Sequence, residues 1–552
     1  MALDNCFLYT KNDVLALSSS ILHGYAIFEN ALVINTPGLN EFIRKYGGII
    51  IPDEGRFCGV FIQGSNAVIK SDIHGQEIIY IYKKGEDWAV SNSFMLLATY
   101  ASKVGRLNFY EPAALNFLLK NGTHIGEQLL SHKTMIEEIE IIPVNYEIHV
   151  DRLTGKIKTI SKDFQNRFEI TSECYEDTII SMLSRGMSLL ETIVSSEQNL
   201  YLSLSGGYDS RLVFGMISRG LNDSKNVYIK SDVNRDNDFA IASQLCKKFD
   251  FSMNTFSPPR KTSALSASES LRMFILSCGG TYLPIYPVKS SDSNRKCILR
   301  LTGDYSADAS FFRGRSVFNG NMRKIGADIQ HYLADLDKTG QVTQDFLDTF
   351  DVLGVDIDSP TASVSYYSAI RSRHHCGRHW YKTMGSDYLM TPLMSKDFTS
   401  LNFLNYREGR SESKLFTDIF CALGTWATET PFESAKGNLD PNMVSNSKFN
   451  GGVRLDSISY EIFGSFRETQ GHITNLYDLP VKFDFDERNF KGALIENYNK
   501  VDKTYSTRLF TDSDFERVKF EIDNDGKLSH GYRTLTHVLY VSLVKDLVEY
   551  SR

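Results

Sequence analysis

The stretch Asn199-Leu200-Tyr201-Leu202-Ser203-Leu204-Ser205-Gly206-Gly207-Tyr208-Asp209-Ser210-Arg211, continuing to Ile217, reads as an apolar strand running into a Ser-Gly-Gly turn and then a helix. Such a turn is an anion cradle. Glycines let backbone N–H groups approach a phosphate, the helix start adds the positive end of its dipole, and the hydroxyls of Ser205 and Ser210 donate further hydrogen bonds. Asp209 stands where it could hold Mg²⁺ against those phosphates. The turn carries no lysine, so it is not the loop that serves γ-phosphate transfer. Taken alone, it also reads as a strand-to-helix turn that uses glycine for tight geometry.

It is not alone. About ninety residues on, Cys297-Ile298-Leu299-Arg300-Leu301-Thr302-Gly303-Asp304-Tyr305-Ser306-Ala307-Asp308 repeats the pattern of an apolar strand followed by a polar, acid-bearing turn. At the carboxyl edge of one parallel sheet, where ligands of open α/β sheets bind, Asp209 and Asp308 would be placed to share a magnesium ion.

The 552 residues suffice for two to four domains. A 42% hydrophobic and 23% charged composition excludes a disordered chain. The net charge of -7 offers no global attraction to nucleic acid. Eight cysteines scattered without a CxxC pair read as reduced thiols of a cytoplasmic protein, with no structural zinc. The first residues have acids where a secretory signal carries bases. The longest uncharged stretch, Met273 to Val288, is broken by glycines and prolines, so no membrane span is expected.

Up to about residue 155 the chain is strand-rich. Gly59–Ile62, Ala67–Ile69, Ile78–Tyr82, Trp88–Val90 and Tyr146–Val150 read as strands, and Gly64–Asn66 and Lys84–Asp87 as hairpin turns. The one clear helical interruption is Glu111 to Asn121. After Asp163, beginning with a helical pattern over Tyr175 to Ile193, strand-like and helical runs alternate, which predicts a parallel sheet with helices. The boundary falls in Ser161–Ser172, and Thr534–Tyr550 reads as a terminal helix.

Ser205 to Ser210 resembles the SGGxDS pyrophosphate loop of ATP pyrophosphatases, and Thr302 to Asp308 is similar to the second motif of the asparagine synthetase branch. Gly59-Val60-Phe61, Ser71 to Gln76, Val90 to Ser93 and Ile139 to Pro143 resemble, in order and spacing, the glutamine-amidotransferase domain that precedes that synthetase. The resemblance implies an α+β amidotransferase-like sandwich of the N-terminal-nucleophile type over 1–163. An α/β pyrophosphatase-loop synthetase domain with a parallel sheet would follow over 164–552, divergent from about 440. It further implies ATP and Mg²⁺, with Ser205, Gly206, Gly207, Asp209, Ser210, Thr302 and Gly303 on the nucleotide and Asp209 and Asp308 on the metal.

The departures are informative. Ala2 stands where that family has its nucleophilic cysteine, and Cys6 is four positions late with no adjacent α-amine, so glutamine is not the expected nitrogen donor. Tyr305 falls where the β-lactam-forming branch has a tyrosine thought to deprotonate the attacking amine. If the turn holds one extra residue, Asp304 matches the family's glutamate instead and Tyr305 is a packed aromatic. Ala309 replaces a usual glutamate. Asp387 to Asp397 and Ser411 to Phe420 resemble the segments that follow, and Lys436, with Lys448 as second choice, falls near the lysine that the family places on the α-phosphate.

The implied reaction adenylates a substrate carboxylate, releases pyrophosphate, and lets an amine displace AMP to form an amide. The favoured reading is a peptide macrolactam (lasso-peptide) cyclase, with 28 Tyr and 35 Phe available to line a peptide-sized cavity. Alternatives are a β-lactam synthetase-like cyclase, an ammonia-dependent amidotransferase on a sugar acid or small carboxylate, and a pseudoenzyme scaffold. The expected partners are the peptide or small carboxylate substrate and other proteins of the pathway.

Two further segments carry unusual side chains. Arg371 to Trp380 has the residue types of a metal site, but its arginines would repel a cation, and it reads as a basic helix over an acidic substrate or pyrophosphate. Glu521 to Gly526 begins like a calcium loop, but the twelfth position is Tyr532, and it reads as a turn.

Overall fold

The computed structural model describes residues 6–48, 51–119, 126–196, 199–221, 226–255, 263–264, 267–283, 290–291, 298–305, 321–379, 388–433, 438–466, 509–523 and 533–552, with 492, 495–496 and 498–499. The chain is a mixed α/β protein with both antiparallel and parallel sheets. Its first ten strands are β1 (Leu8–Thr10), β2 (Ile21–Phe28), β3 (Ala31–Ile34), β4 (Glu54–Gln63), β5 (Asn66–Ser71), β6 (Tyr80–Lys84), β7 (Asp87–Ser91), β8 (Ile139–Ile141), β9 (Tyr146–Asp151) and β10 (Ile157–Ser161). Gly64 and Gly85 take the left-handed conformation at the tips of the β4–β5 and β6–β7 hairpins, as their turns require.

Strand periodicity explains how these elements stack. Along β4, Cys58 and Val60 point to one face and Phe57 and Phe61 to the other. The first pair meets Ile81, Trp88 and Val90 of the facing sheet, whose order is β1-β7-β6-β8. The second pair meets Leu39 and Phe42 of the helix Asn35–Tyr46. On the far side, Tyr80, Tyr82 and Ala89 pack with Phe94, Leu97 and Ala101 of the helix Phe94–Val104. The result is a helix–sheet–sheet–helix stack whose strands are buried on both faces, which is why they read as unbroken apolar runs.

That burial also accounts for the helices absent from the sequence reading. Phe94–Val104 is covered on nearly every side, so it shows no polar stripe to mark its period. Asn35–Tyr46 contains Pro37 and Gly38 and reads as a loop. Among the described residues of the helix expected at Glu111–Asn121, Glu111–Leu115 is α-helical and Asn116–Leu118 continues as a tighter turn, while 120 and 121 lie outside them.

The second half contains β11 (Asn199–Ser203), β12 (Val227–Lys230), a two-residue ribbon of β13 (Ser263–Ala264) and β14 (Ser290–Ser291), then β15 (Ile298–Leu301), β16 (Tyr388–Met390) and β17 (Glu461–Phe463). Strands β12-β11-β15-β16 form an all-parallel sheet, with Leu200 paired to both Val227 and Leu299. The helices Tyr175–Ser195, Tyr208–Gly220, Lys396–Arg407 and Glu412–Leu423 share its core.

The chain beyond residue 440 returns to the first half. Strand β17 adds to β3 in parallel at the edge of the seven-stranded sheet, ordered β10-β9-β5-β4-β2-β3-β17. The terminal helix Arg533–Tyr550 packs on Phe94–Val104 within a core shared by both halves. Glu521–Asp523 form the last turn of the helix Asp512–Asp523 rather than the start of a turn. Among the described residues, no helix is long and apolar enough to cross a membrane.

Candidate functional site at the carboxyl edge of the parallel sheet

From β11 the chain crosses outward to β12 and later returns on the other side of β11 as β15. The strand order therefore reverses between β11 and β15, the position at whose carboxyl ends open α/β sheets bind their ligands. Both turns singled out in the sequence lie there. Ser205–Ser210 follows β11 and Thr302–Tyr305 follows β15. They touch: a Cβ added to Gly303 would lie 2.6 Å from the carbonyl carbon of Asp209 and 2.7 Å from the nitrogen of Ser210. Only glycine permits that approach.

The first turn is held by its own polar groups. The Ser205 N–H donates to Ser210 Oγ at 3.1 Å, the two hydroxyls lie 3.0 Å apart, and the Gly207 N–H donates to Ser205 Oγ at 3.3 Å. The helix Tyr208–Gly220 begins with Gly207 as its N-cap, which has no side chain to accept from the first turn. Asp209 folds back over the glycines, its Oδ1 lying 3.2 Å from where a Cβ on Gly207 would sit.

Three residues that sequence reasoning did not single out brace this turn. Buried Asp238 accepts the Gly206 N–H at 2.7 Å. Buried Arg211 donates to the carbonyls of Thr430 at 2.9 Å and Pro431 at 2.6 Å, and its guanidinium lies 3.7 Å from the centre of the Phe432 ring. Burial pulls Arg211 down to about 10. Glu433 donates its N–H to Gly206 O at 3.3 Å. A hydrogen bond to Asp238 holds its carboxyl above the ordinary range, with burial and the charges of Asp238 and Asp209 adding to the effect. The acid-rich start of the Asp236–Lys248 helix was the only available hint of Asp238, whereas nothing local marks Arg211 or Glu433.

In the second turn, Thr302 Oγ1 donates to Asp304 Oδ2 at 3.0 Å, and the Thr302 N–H donates to Met390 O at 3.2 Å. Tyr305 donates its hydroxyl to Glu412 Oε1 at 3.1 Å. Its ring packs edge-on against Phe398 and Phe416, with centroids 5.4 and 6.2 Å away. Phe416 also stacks on Tyr208 at 5.0 Å, so one aromatic wall spans both turns. Tyr305 is thus both a packed aromatic and a hydrogen-bonded phenol, and Glu412, the first residue of its helix, is the partner that sequence reasoning missed.

Asp308, Ala309 and Lys436 lie outside the described residues, as does Ala2. Lys448 is exposed and pairs with Glu176. Among the described residues, no group of three His, Cys, Asp or Glu is arranged to hold a metal. Cys6 is buried, and burial pushes its thiol up to about 12, the opposite of the lowered value that activates a nucleophilic cysteine.

No family model and no curated protein matches this chain.

The basic helix does not lie over the phosphate turn. In Ser372–His379 and the turn before it, Arg373 donates to the carbonyls of Gly75 and Ile142, Arg371 to Gln128 and Arg378 to Ser277, all buried. These arginines face loops of the sandwich and the helix Ala267–Cys278, because a long guanidinium can reach carbonyls that would otherwise be stranded by burial.

Proposed function

We propose that the chain is an ATP-dependent, AMP-forming carbon–nitrogen ligase that adenylates a substrate carboxylate and couples it to an amine, closing a peptide macrolactam. The observation that carries this reading is the contact of Gly303 with Asp209 and Ser210, which joins two acid-bearing turns at the reversal point of a parallel sheet. The parallel sheet and its helices support a pyrophosphatase-loop synthetase domain. The helix–sheet–sheet–helix stack supports an amidotransferase-like first half, whose buried Cys6 fits the loss of its glutaminase chemistry.

In this reading the N–H groups and hydroxyls of the Ser205–Ser210 turn receive the pyrophosphate of ATP, the Ser205 and Ser210 hydroxyls exchanging their mutual contact for phosphate oxygens. Asp209, folded over the turn, together with Asp308 supplies hard carboxylate oxygens suited to Mg²⁺, which when bound offsets charge on the phosphates. Tyr305, whose hydroxyl donates to the Glu412 carboxylate, takes the amine's proton as it passes its own to Glu412. The role of neutralising the developing charge would fall to Lys436, on the resemblance alone. The aromatic wall of Tyr208, Phe398 and Phe416 gives a peptide an apolar surface.

The test compares metabolites of the native host with those of a host carrying Asp209→Ala by mass spectrometry. A product lighter than its precursor by one water, absent in the variant, is the expected result. Exchange of a hydroxyl for an amino group would instead indicate ammonia-dependent amidation, and identical profiles would refute a ligase.

A further inference from the structure

The turn Ser205–Ser210 carries no lysine, yet a buried cation stands behind it. Arg211 is 0% exposed, and its hydrogen bonds go to carbonyls: Thr430 O at 2.9 Å, Pro431 O at 2.6 Å and Gly206 O at 3.4 Å. The Phe432 ring lies against its guanidinium at 3.7 Å. Burial lowers Arg211 only to about 10, so it is charged at neutral pH. At 3.4 Å from Gly206 O the attraction is mainly that of a charge for a carbonyl dipole.

Two consecutive peptides of the turn are fixed in this way. The Gly206 N–H is already taken, donating to buried Asp238 at 2.7 Å. In the next peptide the Gly206 carbonyl is gripped by the Glu433 N–H at 3.3 Å and by Arg211. The C=O and N–H of a trans peptide point in opposite directions. A carbonyl held toward Arg211 therefore sends the Gly207 N–H the other way, to within 3.3 Å of Ser205 Oγ, which lies 3.0 Å from Ser210 Oγ. One N–H and two hydroxyls converge on that side. If this peptide turned over, a carbonyl oxygen would replace the N–H and repel a phosphate. Glycine on both sides sets little steric barrier to such a turn, so the grip on the carbonyl is what opposes it.

We propose that Arg211 is a positioning residue for a bound pyrophosphate group: from behind the Gly206 carbonyl it keeps the Gly207 N–H facing the anion and polarises it as a donor. Phosphate oxygens are then received by the Gly207 N–H and the Ser205 and Ser210 hydroxyls, and not by the Gly206 N–H. This rests on the reading of Ser205–Ser210 as a phosphate turn, and not on the identity of the amide product.

The test titrates the full-length protein calorimetrically with inorganic pyrophosphate in excess Mg²⁺, the metal being supplied because Asp209 and Asp238 place carboxylates at the turn. Arg211→Met should bind about 10- to 100-fold more weakly than wild type, the worth of one hydrogen bond to a charged group. Should that variant fail to fold, Arg211→Lys takes its place. Its ammonium keeps the charge but cannot span three carbonyls, and affinity should again fall. Melting curves recorded alongside separate support of the fold from positioning, since a brace alone would lower the melting temperature and leave the affinity of the folded protein unchanged.

A second readout follows the amides directly. In protein carrying isotope-labelled glycine, Mg·pyrophosphate should move the Gly207 amide proton downfield and leave that of Gly206 in place; a downfield shift at Gly206 alone would overturn the assignment. Equal affinity in wild type and a folded Arg211 variant would overturn the proposal and leave Arg211 as a clamp on residues 430–432. A wild type that does not bind Mg·pyrophosphate would instead refute the phosphate turn itself, and the proposal with it.

Discussion

The contact between the two turns can be tested without knowing the substrate. In Gly303→Ala the new methyl would lie 2.6 Å from Asp209 C, 2.7 Å from Ser210 N and 2.8 Å from Asp209 Cβ. Carbon atoms rest at about 3.5–4.0 Å, so the turns must part by roughly 1 Å. Two of the three obstructing atoms are backbone, and none can rotate away as the tip of a long side chain would. Overpacking of this kind costs about 1–3 kcal/mol. Reduced freedom of the unfolded chain returns about 0.4–1 kcal/mol. The net loss, about 0–2.6 kcal/mol and centred near 1.3 kcal/mol, corresponds at its centre to a fall of a few degrees in melting temperature, at about 2–4 °C per kcal/mol for a folding unit of 150–250 residues.

The control is Gly326→Ala in the helix Met322–Leu333, where a Cβ meets Leu347 at an ordinary 3.5 Å. It should be neutral or stabilise by up to about 1 kcal/mol. Thermal melting of the full-length protein with and without Mg·ATP gives both readouts. Gly303→Ala should lower the melting temperature and also lose the stabilisation by nucleotide, because the parted turns no longer present Asp209 beside Thr302 and Asp304. A melting temperature equal to wild type would refute the contact. A lowered one with nucleotide stabilisation intact would refute its functional role.

Three other outcomes are expected. Tyr305→Phe and Glu412→Gln should each slow amide formation by about 10²–10⁴-fold and leave pyrophosphate release intact; wild-type turnover in Tyr305→Phe would dismiss it as the base and direct attention to Asp304. Stability should fall steeply as the medium is acidified from pH 6.5. His74, His132 and His374 stay neutral to about 3 in the fold while the unfolded chain protonates them near their ordinary value, so the unfolded state binds more protons. The three together give a slope of up to about 4 kcal/mol per pH unit. Asp72, raised by burial to about 6, opposes them with one proton between about pH 4 and 6. Urea midpoints across pH 4–7 measure the slope, and a flat profile would contradict the burial of these rings. Finally, a mild alkylating reagent should modify exposed Cys174 before buried Cys6, and Cys6→Ala should leave turnover unchanged; early labelling of Cys6 by peptide mass spectrometry would revive a nucleophilic role.

Legibility followed range. The strand, turn and helix of 199–220 were readable because every determinant is local: apolar residues of a buried strand, glycines for the turn, then helical spacing. The antiparallel strands β4, β5, β7 and β9 were readable for the same reason, and hairpin glycines punctuate them. The helix Phe94–Val104 was not, since total burial erases the polar stripe by which a helix is recognised. The basic helix misled because charge in a sequence suggests solvent or ligand, whereas Arg373 and Arg378 are buried against carbonyls about 100 to 300 residues away in the chain.

That two acid-bearing turns end apolar strands, with glycine where the first bends, is written in consecutive residues. That Gly303 presses on Asp209, that Asp238, Arg211 and Glu433 brace the first turn, and that Tyr305 meets Glu412 follows from packing between distant elements. A strand or a turn is specified by interactions within a few residues. The partner of a side chain is fixed by how whole elements pack, and no local spacing encodes which of 67 acids will arrive at a given hydroxyl.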